Sequence, residues 1–289
     1  MSGRIIQPER VYKNSVDHLG RPDLVRRREI LWETIDAFTN TESPDRYHCL
    51  AKANLDRWAS ESSQPHADKQ IHVVQGDWGE VTQDFTQQHG KCFAVLNMAN
   101  AHVPGGGYVE GMPAQEENMF RRTDCHFQIG PDEYDSKSVR YLPQMTALLE
   151  ATDGAVYLDI KTPRVCIRGP EDRSREDLGY AWLAQDEVFA FIELRASAQD
   201  LRDGSAFDKT EARRRIAAQL DTLRQHKVRH AVLSAFGCGA FRNPAGQVAQ
   251  IYREEIDRRH GDFSVIVFAI FSPGYGPDNF APFARAFAC

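Results

Sequence analysis

Two clusters in this 289-residue chain have the residue types and spacing to do chemistry. In the first, Gly105-Gly106-Gly107 is followed, after seven intervening residues, by Gln115-Glu116-Glu117. Three consecutive glycines let the backbone pass within contact distance of a ligand and reach positive φ where a turn needs it. A pair of carboxylates is equipment for moving protons. In the first turn of a helix, which Gln115 to Phe120 is expected to form, two glutamates could merely complement the helix dipole. Their place behind three glycines is what suggests a site. The second cluster is Gly237-Cys238-Gly239-Ala240-Phe241, read as the link between a strand end and a helix N-terminus. Unsatisfied N–H groups and the helix dipole favour an anion there, such as a diphosphate. Neither loop fits a nucleotide fingerprint: no Gly-Lys-Ser/Thr closes a P-loop, and Gly237-Cys238-Gly239 lacks the third glycine of a Rossmann turn. A kinase and a dehydrogenase are thereby disfavoured.

The elements that must position these loops read as α/β. Ile71 to Val74 is expected as a strand ending at Gly76-Asp77, and Cys92 to Met98 is the apolar run of a strand buried on both faces of a mainly parallel sheet. Arg164 to Ile167 and Val188 to Leu194 read as further strands. Ala212 to Gln225 carries Ile216, Leu220 and Leu223 on one helical face. Ala231 to Phe236 is expected as a strand, Asn243 and Pro244 as the N-cap and first residue of the next helix, and Phe263 to Ile270 as the closing strand. That helix would turn Val248, Ile251, Tyr252 and Ile256 inward. Upstream, Leu24, Ile30, Leu31, Ile35 and Phe38 recur at helical spacing, and Arg46 to Ser60 would bury Leu50, Leu55 and Trp58. Glu61 to Asp68, with Pro65, and Glu171 to Asp177 read as polar loops, the latter solvated. Phe280 to Cys289 is expected to pack on the core. The resulting division is a helical extension, 1–68, packed on an α/β domain, 69–289, with its ligand loops at the carboxyl ends of strands.

Composition narrows the function. A net charge of −6 argues against a surface that coats DNA or RNA by neutralising phosphates, while leaving room for an anion in one local pocket of backbone N–H groups. Six scattered cysteines without a C-x-x-C pair suit reduced thiols in a cytoplasmic protein (or a nuclear one, in a eukaryote). The dispersed histidines predict no structural metal. Met1 to Arg10 is not a secretory signal, and no run approaches the ~18 apolar residues of a membrane span. A monomer without cofactor or membrane partner is expected.

The arrangement resembles the signature of poly(ADP-ribose) glycohydrolases, three glycines followed after a short spacer by Gln-Glu-Glu; Asn97 to Phe120 is similar to the bacterial and fungal branch. Leu233 to Pro244 resembles the family's diphosphate loop, and Phe268-Ala269-Ile270 with Asn279 its closing strand. Met98 stands where the family usually has phenylalanine and Ser234 where it usually has glycine, which bears on the shape of the pocket rather than on its chemistry.

The resemblance implies a macrodomain-like mixed sheet flanked by helices and a ligand class of ADP-ribose polymer or ADP-ribosylated protein. By the same resemblance Glu117 is the general acid/base that cleaves the ribose–ribose bond, and Glu116 holds ribose hydroxyls. Adjacent helical residues point about 100° apart, so the two carboxylates do not share one task. A helix N-terminus would lower the pKa of Glu117; a neighbouring carboxylate, a substrate diphosphate and burial under ligand would raise it. Asn100 and Gln115 are expected at the substrate, Asn100 on the proximal ribose. Gly105 to Gly107 would line one side of the diphosphate and Gly237 to Phe241 the other. Phe241 and Phe271 could pack on ribose or adenine, and Asp77 could meet the adenine amine; His102 is expected to be an incidental loop histidine. A mono-ADP-ribosyl hydrolase and a non-catalytic ADP-ribose reader are the rival readings, the latter having no need of Glu117.

Overall fold

The computed structural model describes residues 21–39, 43, 45–62, 70–274 and 276–288. Part of the expected loop Glu61 to Asp68, and Cys289, lie outside them. Helices α1 (Pro22–Thr39) and α2 (Arg46–Glu61) precede β1 (Gln70–Gln75), α3 (Trp78–His89) and β2 (Ala94–Met98). Then come α4 (Gln115–Arg122), a 3-10 turn (Asp124–Phe127), the short strands β3 (Tyr134–Asp135) and β4 (Arg140–Tyr141), and α5 (Pro143–Leu149). The chain continues through β5 (Tyr157–Cys166), β6 (Phe189–Ala196), α6 (Lys209–Gln225), β7 (His230–Leu233), α7 (Ala245–Arg258), β8 (Val265–Ile270) and α8 (Phe280–Ala286). Contacts divide it into two units. The first comprises the described residues up to Asp56 with Ala99–Thr146 and Arg164–Ala190; the second comprises Arg57–Met98, Ala147–Pro163 and residues from Phe191 onward.

The second unit is built on a six-stranded sheet of order β1-β8-β7-β2-β6-β5, whose last two strands run on into residues of the first. The pairings β1/β8, β8/β7, β7/β2 and β2/β6 are parallel. Parallel strands need crossovers, and crossover helices cover the sheet. This is why β8 is buried along its whole length and β2 along all but Met98. Ala212, Ile216, Leu220 and Leu223 of α6 share one core cluster with Val248, Ile251, Tyr252 and Ile256 of α7 and with Phe283 of α8. Asp208 starts α6 by accepting the N–H groups of Thr210 and Glu211.

Several expected boundaries move for identifiable reasons. β5 begins at Tyr157 and carries Pro163 without breaking, which an edge strand tolerates. β7 ends at Leu233 rather than Phe236, because Phe236 N–H turns back to the Ser234 carbonyl and the Ser234 hydroxyl binds the Ala269 carbonyl at 2.7 Å. In the first unit α1 buries the expected Leu24, Ile30, Leu31, Ile35 and Phe38, and also Arg27 and Arg28. In α2, Trp58 is buried as expected, but Ala51 and Asn54 are the other buried positions and Leu50 and Leu55 are half-buried. Phe38 and Ala51 cluster with Val165, Ile167 and Val188, and Ile30 with Leu178 and Tyr180. Among the described residues no helix is long and apolar enough to cross a membrane, and no group of three or more His, Cys, Asp or Glu is placed to hold a metal.

Candidate active site

In the first unit the loop of residues 99–114 folds back on the start of α4. The Asn100 side chain organises its entry, Oδ1 accepting the N–H groups of His102 at 2.8 Å and Val103 at 2.9 Å. Its own backbone N–H donates to Glu116 Oε2 at 2.7 Å. Seven residues further on, Gly107 N–H donates to Glu117 Oε1 at 3.0 Å. The two carboxylates are thus anchored at different points of the loop, Glu116 buried and Glu117 half-buried.

Gly106 explains why glycine is needed. It has φ +57°, and a Cβ there would lie 2.5 Å from Glu117 Oε1 and 3.1 Å from Glu116 Oε2. Any side chain would push the carboxylates off their N–H partners, and the left-handed conformation adds strain of its own. Gly105 meets a similar limit against the rings of Tyr108 and Phe120, at 2.5 and 2.9 Å from its virtual Cβ. Tyr108 is itself fixed, its hydroxyl 2.8 Å from His126 Nδ1. Helix α4 has Glu116 and Glu117 in its first turn and Arg121 and Arg122 in its last, the sense its dipole favours, but its N-cap Ala114 makes no side-chain cap. Gln115 opens the helix half-buried, and His102 is exposed on the loop.

The second unit carries the other glycine loop. Gly237 has φ +74°, and its virtual Cβ falls 2.5 Å from Ala198 Cβ, so this turn also requires glycine. Gly239 and Ala240 are exposed, Phe241 is half-buried, and the Arg202 guanidinium lies 5.0 Å from the Phe241 ring centroid. Asn243 is not the N-cap of α7; Pro244 is, with no side-chain cap. The Asn243 amide instead reaches the carbonyls of Gln199 at 2.7 Å and Gly237 at 3.1 Å, which ties the loop shut and leaves the N-terminal N–H groups of α7 without a side-chain cap. Cys238 is buried, and burial pushes its thiol up to about 12, so it is a packing residue and not a nucleophile at neutral pH. Asp77 caps α3, Oδ1 accepting the N–H groups of Gly79 at 2.8 Å and Glu80 at 3.3 Å. Phe271 follows β8 and is exposed.

Each unit therefore assembles its own set: Asn100, Gly106, Gly107, Glu116 and Glu117 in the first, and Gly237 to Phe241 in the second. Asn243 and Glu171 are the residues whose roles the sequence reading misplaced. Glu171 is not part of a solvated loop; it is buried, bound by Arg27 Nη2 at 2.8 Å and by the Tyr180 hydroxyl at 2.7 Å.

Residues 31–146, which contain the whole glycine–glutamate clamp, match the model of the family described as microbial-type PARG, catalytic domain. PARG here is poly(ADP-ribose) glycohydrolase, and the likeness of fold extends further than the matched segment. A PARG structure from Thermomonospora curvata is similar over 90% of this chain and 99% of its own, at 24% identity and a TM-score of 0.62. The same enzyme bound to the inhibitor ADP-HPD gives 23% identity and 0.61 over the same shares. A Deinococcus radiodurans PARG in complex with ADP-ribose is similar over 84% of this chain and 92% of its own, at 21% identity and a TM-score of 0.53. At such identities the structural likeness is one of fold. No curated protein matches the sequence.

Proposed function

We propose that the chain is a poly(ADP-ribose) glycohydrolase in which Glu117 is the acid/base. The observation that carries this reading is the Glu117 carboxylate fixed by Gly107 N–H beside a Gly106 that admits no side chain. The bond to be cut is an acetal between two riboses. Its cleavage needs a proton delivered to the leaving oxygen, tolerance of positive charge at the anomeric carbon, and then a base for the attacking water. Glu117 supplies the proton and takes one back from water. Glu116, held by Asn100 N–H, orients ribose hydroxyls, and the Asn100 and Gln115 segments border the same loop.

Within the second unit, the loop Gly237 to Phe241 is the proposed anion-binding loop, where backbone N–H groups would meet a diphosphate, with Phe241 and Phe271 as aromatic surfaces for ribose or adenine. Asp77, which caps α3 through Oδ1, is the residue proposed to meet the adenine amine. The ligand is an ADP-ribose polymer or an ADP-ribosylated protein, and the protein acts as a monomer without a cofactor, water being the second substrate.

The test is release of ADP-ribose from poly(ADP-ribosyl)ated protein by the wild type and by Glu117→Gln. Release lost by at least ~100-fold in the variant, the low end for a positioned acid or base, with ADP-ribose binding kept, is the expected result. Binding without release by the wild type would make the protein a reader, and release from mono-ADP-ribosylated but not from poly(ADP-ribosyl)ated protein would make it a mono-ADP-ribosyl hydrolase.

A further inference from the structure

Helix α4 is eight residues long and lacks a side-chain N-cap. A helix so short has little stability of its own, yet it must hold Glu117 to within a fraction of an ångström. The first unit contains a buried polar network that grips this helix and the preceding loop. On the loop, Arg27 Nη1 of α1 reaches the Gly111 carbonyl at 3.4 Å, and Arg173 Nη2 donates to the Pro113 carbonyl at 3.1 Å. Gly111 has φ +83°, and its virtual Cβ lies 2.4 Å from the Leu24 carbonyl, so the loop lies directly on the α1 backbone. On the helix, the Tyr180 hydroxyl accepts from Asn118 Nδ2 at 3.1 Å and from Arg121 Nε at 3.2 Å, and donates to Glu171 Oε2 at 2.7 Å. Glu171 joins the two grips, because it also accepts Arg27 Nη2 at 2.8 Å and Arg173 Nε at 2.8 Å.

We propose that Tyr180, backed by Glu171 and Arg27, is a positioning residue for Glu117, fixing α4 and the loop before it so that the carboxylate stays on Gly107 N–H. The proposal rests on the hydrolase reading. Arg121 is the reason for singling out Tyr180. Its guanidinium is buried, Nη1 and Nη2 have no hydrogen-bond partner, and the Tyr180 hydroxyl is the one acceptor its side chain has among the described residues. Burying a cation on so few partners is costly, and an apolar side chain of similar volume would serve packing as well or better. A polar tether of defined direction is what packing alone does not give. Glu171 stays ionised to keep the tether: burial works to raise its pKa, but the bonds from Arg27 and Tyr180 hold it at about 2.

The experiment compares Tyr180→Phe with a control, Asn54→Ala. Asn54 is also buried in the first unit and spans the carbonyls of Gln185 and Val188 at 2.8 Å each, away from α4. Turnover of poly(ADP-ribose), KM, thermal melting and ADP-ribose binding are measured on each full-length variant. Tyr180→Phe should lower kcat by roughly 10- to 100-fold, the scale of a catalytic group displaced by less than an ångström, with KM within about twofold. Asn54→Ala, at a comparable loss of melting temperature, should keep kcat. Arg27→Lys, which keeps the charge but not the two-pronged contact, should give a smaller fall in kcat alone and serves if Tyr180→Phe does not fold. An active Tyr180→Phe, a change confined to KM, or an equal fall in the control would overturn the proposal while leaving the hydrolase reading intact. A wild type that releases nothing would overturn that reading first.

Discussion

The two glycine loops solve different problems with the same residue type. On the proposed reading the loop before α4 holds a carboxylate that exchanges protons, and its glycines make room for side chains: Gly106 admits Glu116 and Glu117, and Gly111 admits α1. The loop before α7 presents its own backbone, so Gly237 makes a turn, Gly239 stands open, and one amide, Asn243, closes it. The first is therefore expensive in buried polar partners and the second is not. Proton transfer demands fixed directions, whereas an anion needs only a set of N–H groups and the dipole of the following helix.

Gly106→Ala is the sharpest way to break that contrast. The added methyl would sit 2.5 Å from Glu117 Oε1 at φ +57°. We expect turnover to fall by at least ~100-fold, as for a misplaced reacting group, while stability drops by only about 1–2 kcal/mol for the left-handed backbone. ADP-ribose affinity, read by calorimetry, should fall by no more than about tenfold, because Glu116 and the glycine loop border the ligand while the loop before α7 is untouched. A variant that kept half its turnover would mean that the carboxylate does not need the loop.

Asn243→Ala should do the reverse. It removes the amide that spans Gln199, Gly237 and Phe241; Gly237 and Phe241 keep backbone donors, but the Gln199 carbonyl loses this one, a loss of about 1–3 kcal/mol. ADP-ribose affinity should fall by roughly tenfold as the loop loosens, with kcat at saturation nearly unchanged. A fall in kcat without loss of affinity would show that the two loops are not separable in this way.

What the sequence disclosed follows the same division. The glutamate clamp was readable because its parts lie within 18 positions, Asn100 to Glu117, and the glycines announce a close approach. Strands β2 and β8 were readable because both faces are buried, and α6 and α7 because their apolar period is strong. Helix α3 was not, since its buried face is Trp78, Gly79, Val81, Thr82 and Thr86, which hides the hydrophobic period. Its ends were nonetheless marked by the N-cap Asp77 and by Gly90 at φ +59°. Asn243 looked like a cap because Asn before Pro fits that rule; the tertiary partner Gln199 decided otherwise. Glu171 read as solvated among Asp172, Arg173 and Ser174, since its ion-pair partner Arg27 lies 144 positions away.

The smallest expected effect separates the units by pH. In the first, the Asp124 hydrogen bond, 3.1 Å from Nε2, raises the pKa of His48 against the opposing effect of burial; Asp45 adds to the rise and Arg164 works against it. A raised pKa stabilises the folded state below the unfolded value of about 6.5, and this is lost as pH rises through the folded pKa. In the second, burial lowers His230 to about 4, helped by His89, Lys91 and Arg229, and burial also lowers His72. Here the sign reverses: stability is complete above about 6.5 and is lost as pH falls towards 4. His230 is partly open to solvent, so the discounted effect is about 1 kcal/mol. Amide hydrogen exchange at pH 7.5 and pH 5 should thus show protection in β7 and β8 falling by roughly fivefold relative to α1 and α2 after correction for intrinsic rates. His230→Phe should remove most of that difference, because a phenyl ring fills the site beside Phe93, whose ring centroid lies 5.2 Å away, without taking up a proton. If the variant keeps the full difference, the acid sensitivity of the sheet must originate in another group, with His72 next to be replaced.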